Sequence, residues 1–182
     1  MTVFIYLLVI MVELFFLAGF SIFTIFLLYS SVMGSPYVPT KKKEIEYILS
    51  QLHLKKNDTF VDLGCGDGRV VRLACKKYKV NGMGIDINPI LIGYARLKAK
   101  LGRVSNIQFT TKNILNVDLG SADFIYIFLM PALIKKLTPK LTNGLKSGTV
   151  IISHGFKILD LEKNLFKKID HKPFPTYFYK IT

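Results

Sequence analysis

Nine consecutive residues, Val61-Asp62-Leu63-Gly64-Cys65-Gly66-Asp67-Gly68-Arg69, combine three alternating glycines with two carboxylates. Glycine at 64, 66 and 68 lets a backbone turn sharply and approach a ligand with no Cβ in the way. The spacing is G-x-G-x-G and not the G-x-G-x-x-G of dinucleotide sites. Asp62 and Asp67 would repel a pyrophosphate, whereas they suit a ligand that carries an ammonium and a sulfonium. A second segment, Gly84-Ile85-Asp86-Ile87-Asn88-Pro89, adds a third acid, Asp86, about 20 residues after the glycine turn, the separation at which a carboxylate meets ribose hydroxyls. A third segment, Lys112-Asn113-Ile114, offers a polar side chain for the edge of an adenine and an apolar one for its face.

These groups need strands and helices to hold them. Thr59–Leu63 reads as a short apolar strand leading into the glycine turn, and Val70, Val71, Leu73 and Ala74 mark a helix after it. Gly82–Ile87 predicts a second strand and Pro89–Leu101 a second helix, with Pro89 suited to its first turn. Ile107–Thr111 and Phe124–Leu129 predict two more strands, the latter apolar enough to be buried on both faces. Pro131–Leu141 reads as a helix stopped by Gly144, and Thr149–Ser153 as a fifth strand. Leu165–Ile169 and Thr176–Ile181 read as a hairpin-like pair. Upstream, Ile45, Ile48, Leu49 and Leu52 lie at helical spacing, with Thr40 as the expected N-cap and Lys55-Lys56-Asn57-Asp58 as the stop. Strands alternating with helices imply a mostly parallel sheet covered by helices.

The first 33 residues differ from the rest. Val3 to Val32 is almost wholly apolar, Glu13 is its sole charge, and every Lys and Arg lies from Lys41 onward. A helix crosses the hydrocarbon layer with roughly 20 apolar residues. A cleaved signal peptide would want a basic start and a shorter apolar core. The expected organisation is a transmembrane anchor over 1–33, a linker over 34–40 opened by Gly34-Ser35-Pro36, and an α/β ligand-binding domain over 41–182. Lys41, Lys42 and Lys43 after the helix, against no basic residue before it, place that domain on the cytoplasmic side. The chain's charge is +13, and the part after Met33 is one unit more positive, so anionic headgroups or nucleic acid are the expected counterparts. Cys65 and Cys75 form neither a disulfide framework nor a metal-ligand spacing, and no metal is expected.

The string Asp62 to Arg69, the acid Asp86 and the order of elements resemble the class I S-adenosylmethionine-dependent methyltransferases. More narrowly, Pro36-Tyr37-Val38-Pro39-Thr40, Phe128-Leu129 and Ser153-His154 resemble the small archaeal protein-lysine methyltransferases. They also resemble the membrane-anchored mitochondrial enzymes that methylate the c subunit of ATP synthase and the adenine nucleotide translocase. The resemblance runs from about Pro36 to Thr182. It departs at Gly155, where archaeal relatives have Glu after the Ser-His pair, and at Lys41, where they have Pro.

The resemblance implies an α/β fold, a Rossmann-like class I methyltransferase sheet of about seven strands, preceded here by one transmembrane helix. It implies S-adenosyl-L-methionine as cofactor, with Thr40, Asp62, Gly64, Cys65, Gly66, Asp67, Gly68, Asp86, Ile87, Asn113 and Ile114 as binding candidates. Tyr37, Phe128, His154 and Phe156 are the candidates for an aromatic substrate slot at the carboxyl ends of the strands, with Met130 and Pro131 at its floor. A lysine acceptor must lose its proton first, and desolvation in such a slot lowers its pKa. His154 would take that proton or only orient the amine. The expected substrate is a membrane-associated or lysine-rich protein. Nucleic-acid methylation is the rival that the charge suggests, although Phe128-Leu129-Met130-Pro131 stands where amino-methylating nucleic-acid enzymes often carry Asn/Asp-Pro-Pro-Tyr/Phe. Lipid or quinone methylation is the rival that the anchor suggests.

Overall fold

The computed structural model describes residues 2–32 and 38–182. It divides into two units, Met1–Tyr37 and Val38–Thr182.

In the first unit, α1 is one helix, Thr2–Val32. Its 31 residues extend about 46 Å at the α-helical rise. Thr2–Ile25 is long and apolar enough to cross a membrane, and none of its apolar surface is buried against protein. Phe4, Phe15, Phe16 and Phe20 are all exposed, a surface that water would not tolerate at this extent.

The second unit is a seven-stranded sheet in the order β3-β2-β1-β4-β5-β7-β6. The strands are β1 Thr59–Leu63, β2 Asn81–Asp86, β3 Ile107–Thr111, β4 Phe124–Ile127, β5 Val150–His154, β6 Leu165–Ile169 and β7 Thr176–Lys180. The first five are parallel to one another; β7 runs antiparallel between β5 and β6. The helices are α2 Lys42–Ser50, α3 Arg69–Tyr78, α4 Pro89–Leu101 and α5 Pro131–Asn143. Ile45, Ile48 and Leu49 of α2, Val70, Val71 and Ala74 of α3, and Ile92, Ala95 and Ala99 of α4 share one core with Phe60, Tyr126, Ile152 and Phe178. Ile134, Leu137 and Leu141 of α5 fill a second core with Leu63, Ile125, Ile127 and Ile151. The sheet is therefore sandwiched, and its central strands are apolar on both faces as parallel strands must be.

Two sequence expectations about local structure are corrected. The N-cap of α2 is Lys41, in extended backbone with no side-chain cap. Thr40 is instead buried, and its carbonyl accepts from Arg69 Nη1 at 3.1 Å, which ties the approach to α2 onto the glycine turn. β4 ends at Ile127, two residues sooner than its apolar run suggested, so Phe128 and Leu129 lie past the last ladder position. α4 starts as its sequence indicates. Asn88 Oδ1 accepts from the Ile90 and Leu91 amides at 3.0 and 3.3 Å, and Pro89 occupies the first turn. Removing that cap with Asn88→Ala is expected to cost about 1 kcal/mol of unfolding free energy, read as a lower urea midpoint at unchanged m-value.

The order of β1, β2 and β4 decides where a ligand binds. The chain moves outward from β1 to β2 and β3, then returns to the other side of β1 with β4. Such a reversal leaves a crevice beyond the carboxyl ends of the strands. Asp62, Asp86, Phe128 and His154 all lie at that edge.

Candidate active site

The glycine turn is welded to β2 by its own backbone. The Gly64 and Cys65 amides both donate to the Ile85 carbonyl, at 2.8 and 3.0 Å, and the Gly68 amide returns to Cys65 O at 2.8 Å. Gly64 and Gly68 have φ of +77° and +70°, a region that favours glycine. A Cβ at Gly68 would also sit 2.3 Å from the Phe109 ring.

Asp86 closes the turn from the far side. Its Oδ2 accepts from the Gly66 amide at 2.8 Å and its Oδ1 from the Asn88 amide at 2.9 Å. An ionised carboxylate has about four acceptor sites, so two amides leave room for two ligand hydroxyls. Burial pushes the Asp86 pKa up, with those amides pulling the other way. Asp62 is more exposed to repulsion: burial first, and then the charge of Asp86, hold its carboxyl well above the ordinary range, while the Val71 amide lowers it. Its Oδ2 is buried and has no hydrogen-bond partner. An unpartnered buried carboxylate oxygen beside a second acid fits a cationic ligand, because a positive group would supply both the missing bond and the missing charge. The residues present therefore suit S-adenosylmethionine, whose ammonium and sulfonium are cationic.

Asp67 sits differently from its neighbour. Arg69 grips it through Nε and Nη2, each at 2.9 Å, and Arg72 Nη2 lies 3.9 Å away. This charge is neutralised within the protein, and the pair clamps the turn to the start of α3. Cys65 is buried in the turn, where burial and the surrounding carboxylates push its thiol pKa up. Ile87 is half-buried at the end of β2. Asn113 Oδ1 accepts from the Leu115 amide at 3.0 Å and starts a 3-10 turn, Ile114–Asn116. Ile114 is built into the second core.

On the α2 face, β4 and β5 bring together an aromatic group. His154 at the end of β5 meets Phe128 with ring centres 4.5 Å apart and Phe174 at 5.9 Å, and Phe128 meets Phe174 at 5.3 Å. The Tyr126 ring stacks on His154 at 6.3 Å. The Tyr126 hydroxyl is buried, and that burial raises its pKa. His154 is buried, and desolvation together with nearby His171 lowers its pKa to about 4, so the ring is neutral near pH 7.

The structure thus joins Phe128 and His154, which the sequence grouped, and adds Phe174 and Tyr126. It does not bring Phe156 to them. Alternation alone would put Phe156 on the face of His154, but β5 ends at His154 and Gly155, at φ +90°, turns the chain, so Phe156 packs against the second core. Tyr37 lies outside the described residues. Gly155 has φ +90°, and a Cβ there would meet the Phe128 ring at 2.9 Å. The carboxylate that neighbours His154 comes instead from α2: Glu44 Oε1 is 3.7 Å from His154 Nε2. Glu44, His171, Phe174 and Thr176 were missed in the sequence. Only the run His171-Lys172-Pro173-Phe174, two rings in a hairpin turn, gave any signal.

Comparisons with known proteins agree with this geometry. The family model described as the ANTKMT methyltransferase domain matches residues 62–164. The protein-lysine N-methyltransferase of Saccharolobus islandicus (strain REY15A) is 35% identical over 131 residues, covering 71% of this chain and 81% of that protein. A Caenorhabditis elegans lysine N-methyltransferase named for the C subunit of ATP synthase is 32% identical over 144 residues, covering 75% of this chain and 73% of its own. Among solved structures, an RNA methyltransferase from Salinibacter ruber in complex with S-adenosyl-L-homocysteine superimposes with a TM-score of 0.74 at 30% identity. That match covers 79% of this chain and 94% of the Salinibacter chain. The matched stretch opens on Asp62 and takes in the glycine turn, Asp86 and the Phe128–His154 pair, and on this basis the chain belongs to the family of the ANTKMT methyltransferase domain and is an S-adenosylmethionine-dependent methyltransferase.

Proposed function

We propose that this enzyme methylates a lysine side chain of a protein substrate, and that α1 holds it at a membrane where that substrate lies. The observation that carries the reading is the Phe128–His154–Phe174 group beside the glycine turn. In this reading the half-buried Phe128 and Phe174, backed by His154, wall a slot that takes an aliphatic stem and strips water from its terminal amine. Desolvation lowers an amine's pKa from its free value of ~10.4, which yields the neutral nucleophile without a strong base. When bound, the cofactor supplies an electrophilic methyl group on its sulfonium. The chain's part is to position: Asp62 accepts from the ligand's ammonium, Asp86 from its ribose hydroxyls, and the Asn113 side-chain amide donates to its adenine. With the reactive group supplied by the ligand, proximity and orientation provide most of what remains. The Saccharolobus and Caenorhabditis relatives are named for lysine methylation, which supports the same substrate class.

The organisation proposed is an anchor over 1–33, a linker over 34–40 and the catalytic domain over 41–182. The exposed apolar surface of α1 and the absence of any Lys or Arg before Lys41 support an anchor with the domain on the cytoplasmic side. The excess positive charge then faces acidic headgroups.

A single experiment tests both parts. Membranes from cells making the full chain are washed in high-pH carbonate and incubated with methyl-labelled S-adenosylmethionine, with Asp62→Ala as control. The enzyme is expected to stay in the pellet and to label a membrane-protein band at lysine only when Asp62 is present. Release of the enzyme by carbonate would remove the anchor. Label confined to RNA, the reading favoured by the Salinibacter neighbour, or to solvent-extractable lipid would overturn the lysine substrate.

A further inference from the structure

Three side chains from distant parts of the sequence converge behind the aromatic slot: Glu44 of α2, His154 at the end of β5, and His171 in the turn between β6 and β7. Glu44 Oε1, one ring nitrogen of His154 and one of His171 all lie within 4.8 Å of one another. Glu44 Oε1 is 2.8 Å from His171 Nδ1 and 3.7 Å from His154 Nε2. Yet neither Glu44 Oε1 nor His154 Nε2 makes an aligned hydrogen bond, and the His154 side chain is only 1% exposed.

The outward nitrogens explain why. His154 Nδ1 and His171 Nε2 both lie 2.9 Å from Thr176 Oγ1. A hydroxyl oxygen has two lone pairs, so Thr176 can accept from both rings at once. In that pair of tautomers each ring carries its proton on the Thr176 side and turns a bare nitrogen to Glu44. Two lone pairs and a carboxylate oxygen pointed at one another repel unless a cation lies among them. The other tautomer of His171 would donate to Glu44, but that approach is not aligned for a hydrogen bond, and it still leaves His154 Nε2 with nothing.

The geometry points to a divalent metal site, with Glu44 Oε1, His154 Nε2 and His171 Nδ1 as ligands and Zn²⁺ as the ion that the set suits best. Two imidazoles and a carboxylate are borderline donors of the kind zinc takes. Bonds of about 2.0–2.1 Å put tetrahedral ligand atoms about 3.3 Å apart. The distances of 2.8 and 3.7 Å straddle that edge length. Thr176 serves as the shared outer partner that fixes both imidazole tautomers, the usual arrangement around histidine ligands. Glu44 and His171 are 14% and 18% exposed, which gives an ion a path inward. The site joins α2 to the β5 end and to the β6–β7 turn that carries Phe174, so the ion staples one wall of the slot. With Nε2 on a metal, His154 holds the slot's shape and takes no proton. The ligands stand 110 and 17 positions apart, so no spacing motif announces them and the sequence pointed to no metal.

The metal site does not depend on which substrate is methylated, and its test reads the ion directly. Full-length protein in detergent is stripped with a chelator and titrated with Zn²⁺, with bound metal measured by mass spectrometry. One ion per chain at micromolar affinity or tighter is expected. His171→Ala and Glu44→Gln should each weaken it about 100-fold, and Thr176→Val about 10-fold; His53→Ala, an exposed histidine elsewhere, should change nothing. Binding of S-adenosylhomocysteine by each variant verifies that it is folded. Co²⁺ added to the wild type should give visible d–d absorption bands, and Zn²⁺ should slow amide exchange across 170–176. Millimolar binding, equal binding by wild type and His171→Ala, or absence of the cobalt bands would overturn the site and leave a plain Glu44–His171 ion pair.

Discussion

Asp62→Asn is expected to make the cofactor-free protein more stable while weakening S-adenosylhomocysteine binding by about 10- to 150-fold, the loss of one charge-assisted hydrogen bond. The two effects have one cause. Asp62 is buried beside Asp86 with an unpartnered oxygen, and its pKa is held well above the ordinary carboxylate range. As pH rises from that ordinary range, the unfolded chain releases the Asp62 proton before the folded one does. Folding stability therefore falls over the interval up to the raised value and stays lower above it. Asparagine keeps the shape and removes the charge, so the melting temperature near neutral pH should rise and its decline with pH should flatten. Asp86 is shifted in the same direction, so a smaller slope should survive. A cationic ligand favours ionised Asp62, hence wild-type affinity should increase with pH across the same interval. Melting curves from acid to neutral pH, with calorimetric titration of the ligand, measure all of this. Unchanged ligand affinity, or a lower melting temperature in the variant, would sink the assignment of Asp62 as the group that receives the ligand's positive charge.

Gly68→Ala should be the most damaging single methyl in the turn. At φ +70° an alanine suffers left-handed strain, and its Cβ would lie 2.3 Å from Phe109 Cε1, a ring already wedged between α4 and β2. Together these are expected to cost ~2–5 kcal/mol, a fall in melting temperature of about 5–15 °C for a unit of this size. Gly93 is the internal control. It lies on the exposed side of α4, where a Cβ meets nothing within 4 Å. There the same substitution should stabilise by about 0.5–1 kcal/mol, since alanine is the better helix former. Opposite signs at Gly68 and Gly93 separate the requirement of the turn from a general effect of glycine replacement. Equal, small effects at both would mean that the turn does not need its glycines.

Local signals wrote most of the sheet legibly into the sequence. Thr59–Leu63, Pro89–Leu101 and Ile107–Thr111 have their expected bounds because Gly, Pro and Asn stand at their ends and apolar residues fill them. The proposed cofactor side was legible as geometry for the same reason: Asp62 to Gly68 is a contiguous turn, and Asp86 ends the neighbouring strand. The proposed substrate side was legible only in Phe128 and His154, not in the groups behind them. Glu44 sits in a lysine-rich helix start whose apolar stripe explained it fully, and nothing nearby announces that His154 and His171 will reach it. Thr40 looked like a cap because its type suits one, but its carbonyl is claimed by Arg69 from 29 residues away. Phe156 stands two residues from His154, a same-face spacing in a strand, but the strand stops at His154 and the left-handed Gly155 swings Phe156 to the second core.

β7 carries a consequence for biosynthesis. It is the strand that fills the gap between β5 and β6, and Thr176 pairs directly with His154. A ribosome will have made all the other strands before residues 176–180 exist. Until they do, β5 exposes an open edge whose backbone groups lack a neighbour. The strands that carry the glycine turn and Asp86 take no ladder bonds from β7, but they rest on it: Phe178 shares a core with Phe60 and Tyr126, and Tyr179 shares the other with Leu63 and Ile127. The last strand to emerge therefore completes both sides at once, Thr176 beside His154 and Phe178 and Tyr179 beneath the glycine turn's strand.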